Sequence, residues 1–217
     1  MRLKPGSVAI LLLLLILLCG FPVAAQAGPL TGKIVVLDPG HGGSQDGAFH
    51  HGLREADVNL AIGLALKANL TAAGATVVMT RATDELAAPP GVTPAAELQA
   101  RVDIARSADA DIFVSLHANA HPTKPETAGA ITFYAPGRPN DLAATVLEAL
   151  VLETGAVNKG VRPANFYVLR NSDIPAVLVE VGFLTNRDEA VRLADSAYQQ
   201  EIAAGICKGI MRYFLVR

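Results

Sequence analysis

VVLDPGHGGSQDGAFHHGLREAD, residues 35–57, carries the pattern on which the reading of this chain turns. An apolar run over residues 33–38 reads as a buried strand and breaks into Asp38-Pro39-Gly40-His41-Gly42-Gly43. Beyond it, Val58, Ala61, Ile62, Ala65 and Leu66 follow the i, i+3, i+4, i+7, i+8 spacing of an amphipathic helix. Asp57 is the expected N-cap, which sets Glu55 just before the helix. Strand, glycine-rich loop and helix open an α/β unit. The loop itself admits two chemistries, a backbone cradle for phosphate or a mount that aims His41 at a metal.

The alternation continues downstream. Gly74 ends the helix and residues 76–80 form a second strand. Thr93-Pro94 opens a helix with proline at its first position, running to about Ser107. Residues 111–116, 130–134, 166–169 and 176–181 read as further strands, with a helix over 140–153. A last helix from about Ala197 puts Ile202, Ile206, Ile210 and Tyr213 on one face. Such alternation predicts one α/β domain built on a mostly parallel sheet of about six strands.

Toward the N-terminus, Arg2 and Lys4 precede an unbroken apolar run from Val8 to Cys19, and Ala25-Gln26-Ala27 follows. A basic start, a short apolar core and an A-x-A site predict a signal peptide over residues 1–27, with an uncleaved anchor as the alternative. The run falls short of the roughly 20 residues that span a bilayer. Leu18 before Cys19 argues against lipidation, which wants a small residue there. The expectation is an exported protein of the periplasm, wall or extracellular space, with no stable membrane span after cleavage.

Removing Arg2 and Lys4 from the 18 Lys and Arg leaves 16 against 20 Asp and Glu, a net charge of about −4. That balance offers no electrostatic handle on nucleic acid. Of the two cysteines only Cys207 would remain, which excludes an intrachain disulfide and suits a small buried hydrophobe.

Three strands end in residues able to do chemistry: His41 past the first, His117 at the close of the third, and Glu180 late in Val177-Leu178-Val179-Glu180-Val181-Gly182. Sites in open α/β sheets form beyond the carboxyl ends of strands, and Glu55 reaches the same edge. Two histidines and a carboxylate are a common ligand set for catalytic zinc. Glu180 would then handle protons, since an ionisable residue in so apolar a strand is costly without a partner; the plainer reading is a structural salt bridge. Gly40-His41-Gly42-Gly43 matches neither G-x-x-x-x-G-K-[ST] nor G-x-G-x-x-G, which weakens the phosphate reading. His50, His51 and His121 are expected in solvated loops; His117 and His121 share the i, i+4 spacing of H-E-x-x-H, but Ala118 replaces the glutamate and Pro122 breaks any helix.

Asp38-Pro39-Gly40-His41-Gly42-Gly43, Glu55-Ala56-Asp57-Val58-Asn59-Leu60, Met79-Thr80-Arg81, Ser115-Leu116-His117-Ala118-Asn119 and residues 175–186 together resemble the zinc-dependent N-acetylmuramoyl-L-alanine amidases of bacterial cell walls. The resemblance runs from about Lys33 to Phe214. It implies zinc held by His41, Glu55 and His117, with Glu180 as the catalytic carboxylate. It also implies a twisted sheet with helices on both faces, over a catalytic domain of residues 28–217. The implied substrate is peptidoglycan, at the amide joining muramic acid to L-alanine, for a monomer. The compact build resembles the sporulation and germination amidases of this family. A zinc peptidase acting within stem peptides or cross-links is the alternative. Some family members plug the zinc site with an added helix; Pro122 and Pro125 discourage one after His117, and the 140–153 helix is expected to pack on the sheet instead.

Overall fold

The computed structural model describes residues 27–217, so the expected signal segment lies, but for Ala27, outside the described residues. The chain runs β1 (Ile34–Pro39), β2 (Phe49–His50), β3 (Leu53–Arg54), α1 (Glu55–Ala72), β4 (Thr76–Met79), α2 (Pro94–Ser107), β5 (Ile112–Asn119) and β6 (Ala130–Tyr134). It continues through α3 (Asp141–Thr154), β7 (Asn158–Pro163), α4 (Tyr167–Arg170), β8 (Ala176–Phe183), α5 (Arg187–Ala194) and α6 (Ser196–Leu215). Six strands form one sheet in the order β4-β1-β5-β8-β6-β7, and β2 and β3 pair as a separate hairpin. Every contact in the large sheet is parallel except β6 with β8, so β6 and β7 run against the other four.

β1, β5 and β8 sit in the middle and read as near-continuous apolar runs because both faces are covered. On one face Leu37, Val114 and Val179 meet α1, α3 and α6, among them Ile62, Val146 and Ile206. On the other, Val36, Phe113 and Leu178 meet Val102 of α2 and Val168 of α4. Gly205 and Gly209 of α6 let its backbone lie against α3, where an added Cβ would fall 2.8 Å from Leu150 Cα and 2.5 Å from Val146 Cα. The predicted α6 face is the buried one: Ile202, Ile206 and Ile210 are inaccessible, and Cys207 is buried beside them. Thr93 caps α2 through Ala96 N at 3.2 Å, with Pro94 in the first turn as expected.

Three sequence expectations are corrected. Residues 166–169 are not a strand: Phe166 is the N-cap of the short helix α4. The sixth strand is β7, whose polar Asn158-Lys159-Gly160-Val161-Arg162-Pro163 suits an exposed sheet edge rather than a core. Glu55 is the first residue of α1 with Arg54 as N-cap, so Asp57 lies inside the first turn, where its charge favours the helix dipole.

Candidate metal centre

β1 and β5 are neighbours, and β5 pairs with β8 so that His117 is opposite Glu180. The turn after β1 hydrogen-bonds back to β5, Gly40 N to Leu116 O at 2.9 Å, which holds His41 over the same edge. His41 itself has φ of +63°, a left-handed conformation uncommon for a residue with a side chain. Gly40 is glycine for a steric reason, since a Cβ there would fall 2.2 Å from Cε1 of His117. The glycine-rich loop therefore makes room for an imidazole.

Glu55 completes the group from the start of α1. Its Oε1 lies 3.2 Å from His41 Nε2 and 2.9 Å from His117 Nδ1. The two rings stand edge to face, centroids 5.0 Å apart. Among the described residues, His41, Glu55 and His117 offer one ligand atom each within 4.8 Å of one another, a cluster that could hold a metal ion. Atoms bound tetrahedrally at roughly 2.0–2.2 Å from a zinc ion sit about 3.3–3.6 Å apart, a spacing that small side-chain shifts of this donor set can meet. Oε2 of Glu55 accepts from Ala48 N at 2.9 Å, leaving Oε1 for the site. Burial alone would push the Glu55 carboxyl up, but hydrogen bonds and charge from His117 and His41 hold it well below the usual range. Burial opposes a charge on His117, yet the Glu55 and Glu180 carboxylates raise its pKa.

Glu180 differs. Its Oε2 is buried without a hydrogen-bond partner among the described residues, and burial pushes the carboxyl up to about 7, a rise that His117 reduces and Glu55 reinforces. It lines a cavity of about 300 Å³ together with His41 and His117, walled on the far side by Leu98, Phe166 and Val168. A ligand cluster faced by a carboxylate poised to exchange a proton near neutral pH can activate water against a carbonyl.

The remaining histidines stand apart. His50 and His51 are exposed, on and just after β2, and His51 Nε2 lies 3.2 Å from Thr185 O. His121 Nδ1 faces the amides of Thr123 and Lys124 at 3.4 and 3.2 Å, bracing its own loop.

Over residues 35–212 the chain matches the family model described as N-acetylmuramoyl-L-alanine amidase. The chain belongs to this family. The germination-specific N-acetylmuramoyl-L-alanine amidase of Bacillus subtilis is 35% identical over 193 residues, which cover 86% of this chain and 81% of that one. Among solved structures, the N-acetylmuramoyl-L-alanine amidase AmiC2 of Nostoc punctiforme is 39% identical with a TM-score of 0.77, covering 88% of this chain and 99% of that one. The CwlD amidase of Clostridioides difficile, solved in complex with the GerS lipoprotein, is 32% identical with a TM-score of 0.78, covering 85% of this chain and 100% of that one. The six-stranded α/β architecture is that of these amidases.

The sequence did not disclose a buried polar layer beneath this amidase site. Asp38, 1% exposed, accepts from Thr80 Oγ1, Arg101 Nη1 and Ser115 Oγ, each at 2.7 Å. Burial would raise its pKa, but Arg101 and the two hydroxyls hold it below the usual carboxylate range. Arg101 also donates to Pro39 O at 3.1 Å and His41 O at 3.0 Å, and pairs with Glu97 one turn earlier in α2. The i, i+4 spacing of Glu97 and Arg101 was the only signal in the sequence, and such pairs are ordinarily solvated.

Proposed function

We propose that this chain hydrolyses the amide joining the lactyl group of N-acetylmuramic acid to the L-alanine of the stem peptide, with zinc held by His41, Glu55 and His117 and with Glu180 as general acid/base. The observation that carries the reading is a His41–Glu55–His117 donor cluster whose two histidines line one cavity with Glu180, a buried carboxylate with a free oxygen among the described residues, in a chain of the amidase family. When bound, zinc supplies Lewis acidity toward the amide carbonyl and makes water acidic enough to attack near neutral pH. Glu180 takes the proton of the attacking water and returns it to the departing amine nitrogen of L-alanine. Burial in β8 pushes its carboxyl up to about 7, which suits a group that must both accept and give up a proton near neutral pH. Leu98, Phe166 and Val168 give the cavity an apolar flank.

Residues 1–27 serve as the export signal in this reading, and residues 28–217 form the catalytic domain that works on the wall as a monomer. No helix among the described residues is long and apolar enough to cross a membrane. The β5–β6 connection, residues 120–129, contains no helix, and α3 buries Leu142, Val146, Leu147 and Leu150 in the core. Both observations support basal activity without an activating protein.

Digestion of purified peptidoglycan with mass analysis of the products, with and without chelator, tests the proposal. The expected products are intact stem peptides with free L-alanine amino termini and bare glycan, appearing only while metal is present and returning on addition of zinc. Stem peptides cut internally and still attached to glycan would make the chain a peptidase. Full activity in chelator would remove the metal from the reaction.

A further inference from the structure

We propose that Arg81 is a positioning residue that sets the separation of His41 and Glu55, and through it the affinity of the site for zinc; the inference rests on the zinc reading above. Arg81 lies just past β4 and is 5% exposed. All its hydrogen bonds among the described residues go to backbone carbonyls. Nε donates to Pro39 O at 2.8 Å, Nη1 to Thr83 O at 3.1 Å, and Nη2 to both Gly40 O at 3.0 Å and Ala56 O at 2.7 Å. Pro39 and Gly40 immediately precede His41, and Ala56 immediately follows Glu55. One planar group thus grips the turn that presents one ligand and the first helical turn that presents another.

The ligands need such a grip. His41 is held in a left-handed backbone conformation, and Glu55 begins a helix whose N-cap, Arg54, makes no side-chain capping bond to it. Arg101 bonds the carbonyls of Pro39 and His41 but nothing on α1, so it steadies the turn without relating it to the helix. Asn59 adds a weaker tie, with Nδ2 3.2 Å from Gly40 O and 3.4 Å from Glu55 Oε1. A buried guanidinium with no carboxylate in contact is costly to retain. Four carbonyls from three segments compensate it, and only a rigid fork of donors can reach them together. The point charge of a lysine cannot make that set of bonds.

Two variants of the whole protein test this, Arg81→Lys, which keeps the charge, and Arg81→Gln, which removes it. Zinc affinity is measured by competition with a chromophoric chelator, far below the melting temperature, and the visible spectrum of the cobalt(II)-loaded protein reports ligand geometry. Groups that orient metal ligands typically cost about 10–100-fold in affinity when lost. The expected result is weaker zinc binding of that order in both variants, with a shifted cobalt band. A purely structural role would lower the melting temperature while leaving the folded protein's zinc affinity within about twofold and its cobalt spectrum unchanged. That outcome overturns the inference. Should Arg81→Lys fail to fold, the neutral Arg81→Gln decides alone; should neither fold, Arg81 belongs to the fold and the inference is equally lost. Absence of zinc binding by the unsubstituted protein would instead refute the metal reading itself.

Discussion

Asp38 and Glu180 are two acids on central strands of one sheet, at the same edge, and they are treated in opposite ways. Asp38 at the end of β1 receives three short hydrogen bonds and the charge of Arg101, and its pKa falls. Glu180 on β8 has an oxygen with no partner, and its pKa climbs to about 7. Burial pushes both upward, so the difference lies entirely in what surrounds them. A carboxylate fully occupied by donors is part of the scaffold. One left unoccupied beside a candidate metal-binding cluster keeps its proton chemistry for a substrate.

The sharpest break of this contrast is Glu180→Gln. The amide keeps the shape but not the proton transfer, so kcat should fall on the order of 10²–10⁴-fold while zinc content and fold persist. Steady-state kinetics with metal analysis checks it, and near-normal turnover would end the assignment of Glu180. Next comes Arg101→Ala, which strands the Asp38 charge in the interior. Breaking a buried pair in this way costs about 3–5 kcal/mol. Urea unfolding should show that loss; a cost below about 1 kcal/mol would mean Asp38 is held by its hydroxyl partners alone.

The two acids should also give opposite pH signatures in the metal-free protein. The pKa of Asp38 is lowered on folding, so its stabilisation is present above the unfolded value of 3.8 and is lost as pH falls through the folded one. That of Glu180 is raised, so its contribution is full below 4.5 and is lost as pH rises through about 7, on the order of 3 kcal/mol. Chemical denaturation at several pH values reads both limbs. Glu180→Gln should flatten the decline between pH 5 and 7, and an unchanged slope would show that Glu180 is not its source. The smallest effect is expected for Ser115→Ala. It removes one of three donors from Asp38 and should cost about 1.5 kcal/mol in the same denaturation measurement, with metal affinity intact.

The same contrast explains what could be read from the sequence. His41, His117 and Glu180 stood out because they interrupt or end apolar strand runs, and Glu55 because it precedes a clear helical period. The structure brings all four to one edge. The pairing of Arg101 with Asp38 was not legible, since a guanidinium on a helix and an acid before a turn are usually solvated, and only the tertiary packing of α2 on β1 buries them. The short elements were silent too. β2 and β3 are two residues each, too brief for any period, and β7 is an edge strand whose outer residues face water. Residues 166–169 looked like a strand because four largely apolar residues carry too little length to separate a strand from one buried helical turn.

β6 runs against β8, and this reversal bears on how such a protein can change over evolutionary time. Because β6 starts at the edge where β5 and β8 finish, the 120–129 connection stays at that edge instead of crossing the sheet. It is tied at both ends, near its start by His121 N donating to Thr185 Oγ1 at 3.1 Å, and toward its end by Gly129 N donating to Glu189 Oε1 at 2.8 Å and Asn186 Nδ2 donating to Glu126 O at 3.1 Å. Residues can be added, lost or exchanged within it without shifting a core strand or any of the four site residues. Descendants of this scaffold can therefore remodel this edge of the sheet while inheriting the hydrolytic chemistry unchanged.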